Sequence, residues 1–103
     1  MLCAHTIRRL KPGSFDQFAS SFGPPEGAEP GGWVRYHVLR SLGDEDVVIT
    51  FGFFDGTLAE MEHSQDAQGY DEMKAAISPL VEEVLSNGVY EIVVSKTADS
   101  AAV

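Results

Sequence analysis

The segment from Val47 to Phe54 limits the possible folds more than any other part of the chain. Its residues fall into two alternating sets, Val47, Ile49, Phe51 and Phe53 on one side and Val48, Thr50, Gly52 and Phe54 on the other. A strand sends successive side chains to opposite faces, so an extended segment of this composition is largely apolar on both. Such a strand belongs in a sheet that is covered front and back. In a chain of 103 residues, helices can cover one face of that sheet, and the other must meet a second protein surface.

The flanking segments supply the rest of the sheet and its helices. Leu2 to Leu10 alternates as a strand and ends at Lys11-Pro12-Gly13. Ser14 and Gln17 have capping-box spacing, and Phe15, Phe18, Ala19 and Phe22 recur on one face of a short helix that Gly23-Pro24-Pro25 stops. From Gly23 to Gly32, four glycines and three prolines exclude regular structure. A loop of that length serves either as a functional lid or as a spacer back to the sheet.

Trp33 to Leu42 alternates between Trp33/Arg35/His37/Leu39 and Val34/Tyr36/Val38/Arg40, and the turn Gly43-Asp44-Glu45-Asp46 joins it to Val47–Phe54 as a hairpin. Thr57 and Glu60 form a second capping box, with Leu58 and Met61 expected to point inward. Apolar residues then recur at Tyr70, Met73, Ile77, Leu80, Val81, Val84 and Leu85, which predicts a helix kinked or restarted at Pro79. Asn87-Gly88 reads as its C-cap and Val89 to Val94 as the last strand. The order is βαββαβ, with residues 1–95 as one domain and 96–103 as a frayed tail.

Composition narrows the partners. A hydrophobic content of 44% supports one domain with a modest core, which association with another copy would help to stabilise. Sixteen acidic against seven basic residues give a net charge of −9, which disfavours nucleic-acid backbones and anionic membranes. The lone Cys3 has no disulfide partner in the chain and reads as a small buried hydrophobe. No run approaches the ~18 apolar residues of a membrane span. The N-terminus lacks the charged-then-apolar order of a signal peptide, so a cytoplasmic protein is expected.

Taken together, Lys11-Pro12-Gly13 after the first strand, Gly32-Trp33-Val34-Arg35-Tyr36-His37-Val38-Leu39-Arg40 as the second, His63 nine residues after Phe54, and Ser78-Pro79-Leu80-Val81-Glu82-Glu83 leading to Tyr90-Glu91-Ile92-Val93 resemble the antibiotic biosynthesis monooxygenase-like family over residues 2–95. The resemblance implies an α+β, ferredoxin-like fold with a four-stranded antiparallel sheet. Two such sheets face each other in a homodimer to make a dimeric α/β barrel, with a pocket between sheet and helices in each subunit. Quinone-forming members work without a cofactor and line the pocket with an Asn, a Trp and a Tyr. Haem-degrading members use an Asn on the first strand and a late helical His. Here the single asparagine is Asn87, and the haem-ligand position falls near Glu72-Met73, so neither haem nor any other cofactor is expected.

The candidate residues follow. His5, His37 and His63 are the groups whose ordinary pKa lies nearest neutrality, and no pair has the i, i+4 spacing of a helical metal site, so no metal is expected. The resemblance puts His63 at a pocket position, where it is the candidate general base; an exposed histidine among Glu60, Glu62 and Asp66 is the plainer alternative. Tyr36, on the face expected to be covered by helices, would offer a hydrogen bond and is the second catalytic candidate. Trp33, Tyr70, His37 and His5 are candidate substrate contacts, with core or subunit packing as the alternative for each. Arg35 and Arg40 could hold an acidic ligand or pair with carboxylates across strands.

Two functions remain open. The first is a cofactor-independent monooxygenase acting on a small aromatic, polyketide or quinol substrate. The second is a non-catalytic small-molecule-binding or dimerisation module. A closed pocket of about 300 Å3 or more lined by Tyr36, His63 and Tyr70 would favour the enzyme. A solidly packed interface between sheet and helices would favour the module.

Overall fold

A computed structural model describes residues 1–24, 27, 30–67 and 69–98. The elements are β1 (Leu2–Leu10), α1 (Phe15–Ser21), β2 (Trp33–Arg40), β3 (Val47–Phe54), α2 (Leu58–Ala67), α3 (Tyr70–Ile77), a single 3-10 turn (Ser78–Leu80) and β4 (Val81–Glu91). The sheet is antiparallel throughout, in the order β2-β3-β1-β4, with the helices on one face. This is the ferredoxin-like βαββαβ arrangement. Part of the expected 23–32 loop and residues 99–103 of the expected tail lie outside the described residues. Among the described residues, no helix is long and apolar enough to cross a membrane.

The helix face of the sheet carries two apolar clusters. One gathers Leu10, Phe18, Val48 and Ile77, and the other gathers Trp33, Phe54 and Met61. Between them the central strands carry small or polar residues, with Ala4, Thr6 and Arg8 on β1 and Gly52 and Thr50 on β3. Large side chains at the strand ends and short ones in the middle leave a gap under the helices.

The structure corrects the sequence reading in four places. The chain is extended from Val81, so the predicted helix through Leu85 and its cap at Asn87-Gly88 do not form. The free edge of β1 supplies pairing from Leu10 to Leu2, and two register shifts accommodate Glu82 and Leu85 as extra residues. Each shift adds a residue to the period-two alternation, so Val81 and Val84, three apart, pair with Leu10 and Arg8 on one face. That spacing imitates a helical turn.

A similar irregularity near Val34 separates the Trp33–Phe54 and Arg35–Phe53 pairs. It moves Trp33 off the face of Arg35 and His37 and onto the helix-covered face with Tyr36. The Ser14 side chain makes no cap bond, because its backbone is already helical at φ −94° and ψ 0°. Leu58 is exposed, while Met61 is buried as expected.

The second capping box forms as read. Thr57 N–H donates to Glu60 Oε1 at 2.9 Å, and Glu60 N–H donates to Thr57 Oγ1 at 3.2 Å. Gly69, at φ +73°, begins α3 in a conformation that side chains with a Cβ resist, which breaks the helical region in two.

Candidate functional site

The gap between the two clusters is a cleft with a cavity volume of about 70 Å3, open to solvent on one side. Its floor is the middle of the sheet, Ala4, Thr6 and Arg8 from β1 with Thr50 and Gly52 from β3. Trp33 and Tyr36 close one end, stacked with ring centroids 5.3 Å apart and planes at 28°. Tyr70 and Met73 reach in from α3, and Phe22 stands edge-on to Tyr36 at 6.3 Å. The Gly23 N–H donates to Met73 Sδ at 3.0 Å, tying the loop after α1 to α3 at the rim.

Gly52 makes the aromatic end possible. A Cβ at that position would lie 2.7 Å from Trp33 Cζ3 and 3.4 Å from Tyr36 Cδ1. The rings therefore lie directly on the backbone of β3. Trp33 is held further by Phe54, edge-on at 5.1 Å.

Two groups give the cleft its polarity. Burial pushes the Tyr36 phenol up to about 12, so at neutral pH it is protonated and can donate a hydrogen bond. Arg8 is 8% exposed, and its Nη1 donates to Thr50 Oγ1 at 2.8 Å. Its guanidinium also stands 5.5 Å from the centre of the Phe18 ring. Burial lowers its pKa, and the neighbouring Tyr70 counters that in part. A guanidinium stays charged nonetheless.

Of the residues singled out from sequence, Trp33, Tyr36 and Tyr70 line the cleft. His63 does not. The inward side of α2 is set by Met61 and Ser64, and the helical phase turns His63 to solvent. Exposed beside Glu60, Glu62 and Asp66, it stands as the plainer alternative has it. His5 and His37 stand on the opposite face of the sheet. Strand alternation puts His5 with Cys3 and Ile7, packed 4.9 Å from Phe51 and 5.9 Å from Tyr90, while His37 meets Phe53 edge-on at 5.9 Å. Neither lines the cleft, so the substrate contacts read for them fail for this site. Arg40 pairs with Glu45, and Arg35 lies over Phe53.

Sequence reasoning missed Thr6, Arg8 and Thr50. The signal was present in Thr50 and Gly52, a short polar residue and a glycine in the middle of an otherwise bulky strand face. Asn87 was also misplaced. It lies on β4, where its Oδ1 accepts from Thr6 Oγ1 at 3.1 Å, next to a residue of the cleft floor.

No family model matches the chain, and no curated protein matches it. Solved structures do. A proposed antibiotic biosynthesis monooxygenase from Chloroflexus aurantiacus J-10-fl superposes with a TM-score of 0.76 at 17% identity, over 93% of this chain and 96% of the other. One from Nitrosomonas europaea gives 0.74 at 12% identity, over 91% and 100%. A third, from Deinococcus radiodurans, gives 0.66 at 15% identity, over 94% and 97%. At these identities the likeness is one of backbone architecture. The chain has the ferredoxin-like fold of the antibiotic biosynthesis monooxygenase-like structures.

Proposed function

We propose that the chain is a cofactor-independent monooxygenase that oxidises a small aromatic or quinol substrate in the cleft between sheet and helices. The observation that carries this reading is the stacked Trp33–Tyr36 pair closing one end of a solvent-open cleft, with the protonated Tyr36 phenol beside it. A flat ring can slide against such walls, and a phenol donor stabilises an oxygen as negative charge develops on it. With an anthrone as substrate, the methylene becomes a carbonyl. One oxygen atom of O2 enters the product, the other leaves as water, and the four electrons come from the substrate.

The fold also supports a homodimer in which a second copy covers the bare sheet face and completes a dimeric α/β barrel. That face carries Ile7, Ile49, Phe51 and Phe53, and the buried His5 Nδ1 there has no hydrogen-bond partner among the described residues. We take the compartment to be the cytoplasm.

A second reading is a binding module without turnover. It is favoured by a cavity of about 70 Å3, well below the roughly 300 Å3 expected of an enclosed substrate pocket, and by a lining that, among the described residues, holds no imidazole or carboxylate.

Oxygen uptake with hydroquinones, anthrones and their carboxylated forms separates the two. The enzyme reading expects turnover that Tyr36→Phe slows by about tenfold or more, while His63→Ala runs at the parent rate. If the panel binds but consumes no oxygen, the module reading replaces it.

A further inference from the structure

We propose that the ligand of this cleft is a single-ring aromatic carboxylate, and that the Arg8 guanidinium receives its carboxylate group. The proposal rests on the reading above that the cleft is the ligand site, and it narrows the substrate class.

Arg8 is a cation placed where it is costly to keep. It is almost fully buried, and among the described residues its one hydrogen-bond acceptor is the neutral Thr50 hydroxyl. The arginine ion pairs among those residues are Arg9 with Asp44 and Arg40 with Glu45, both outside the cleft. The chain carries sixteen carboxylates, and none of those described pairs with Arg8. A buried charge lacking a counter-ion destabilises a fold, and replacing it with an apolar side chain of similar size commonly restores stability.

A bound anion would compensate that charge. A guanidinium presents five N–H donors in a planar fork, of which Thr50 takes one. The fork matches a carboxylate in two-point geometry, which a point charge could not enforce. Tyr36 and Tyr70 line the same cleft, and their hydroxyls can donate to the carboxylate oxygens. The apolar walls, Trp33, Phe22 and Met73, offer faces for a ring to pack against.

Isothermal titration calorimetry with gentisate and hydroquinone, which differ by one carboxylate, tests this. The parent is expected to bind gentisate roughly tenfold or more tightly than hydroquinone. Arg8→Met is expected to lose that preference, so that gentisate and hydroquinone bind it about equally, and to melt no lower than the parent in the absence of ligand. If Arg8→Met does not fold, Arg8→Lys takes its place and is expected to keep only part of the preference. Equal affinity of the parent for the two ligands overturns the carboxylate assignment and leaves the aromatic cleft standing. A full preference surviving in Arg8→Met or Arg8→Lys overturns the role of the guanidinium fork. Binding of neither ligand overturns both the assignment and the cleft reading.

Discussion

Replacing Gly52 with alanine probes the aromatic end of the cleft at one atom. The added Cβ would stand 2.7 Å from Trp33 Cζ3 and 3.3 Å from Cε3. Carbon atoms settle at about 3.5 Å or more, so the indole must retreat by roughly 0.8 Å. It has little room to do so, since Trp33 is 9% exposed and fixed between Tyr36 and Phe54. Overpacking of this kind costs about 1–3 kcal/mol. The backbone at Gly52 is not left-handed, so alanine also gains about 0.4–1 kcal/mol by restricting the unfolded chain. The net expectation is a loss of about 1–2 kcal/mol, or roughly 5–15 °C in Tm for a domain of this size. Circular dichroism melts of the parent, Gly52→Ala, Trp33→Phe and the double variant measure it. The smaller ring in Trp33→Phe should relieve most of the alanine penalty. A Gly52→Ala protein as stable as the parent, or an equal penalty in the Trp33→Phe background, would refute the proposed contact between ring and backbone.

Three further outcomes are expected. Thr57→Ala removes one half of the reciprocal cap on α2 and should cost about 1 kcal/mol in a urea melt, whereas Ser14→Ala, which removes no cap bond, should cost much less. The Asp44 carboxyl is held below the usual range, first by the hydrogen bond from Arg9 and then by the Asp46 N–H. Its stabilisation is therefore present above the unfolded value of about 3.9 and fades as pH falls through the lower folded value; Tm against pH should fall less steeply there in Asp44→Asn. Sedimentation at micromolar concentration should give twice the 11.2 kDa chain mass, and a mass of 11.2 kDa would contradict the dimer.

The architecture was readable from sequence wherever hydrophobic alternation was regular. Val47–Phe54 declared its two apolar faces, and the βαββαβ order follows from the strands around it. Reading failed where the backbone departs from period two. The irregularity near Val34 transferred Trp33 to the other face, and the shifts at Glu82 and Leu85 made a strand look like a helix. Such irregularities are set by pairing across strands, which local periodicity does not encode. The site suffered for the same reason. Tyr36 is legible because its strand face meets the helices, and Tyr70 because it shares a helix face with Met73 and Ile77, whereas Arg8 is not, because a charged residue in a strand reads as solvent-facing. For His63 the choice between pocket and solvent turns on helical phase, which the burial of Met61 and Ser64 sets.

Amide chemical-shift mapping of a uniformly 15N-labelled sample, titrated with gentisate, tests most directly whether ligands enter on the helix-covered side of the sheet. The account predicts shifts concentrated at Thr6, Arg8, Thr50, Gly52 and Tyr70. Shifts confined to Cys3, His5, Phe51 and Phe53 on the opposite face would contradict it.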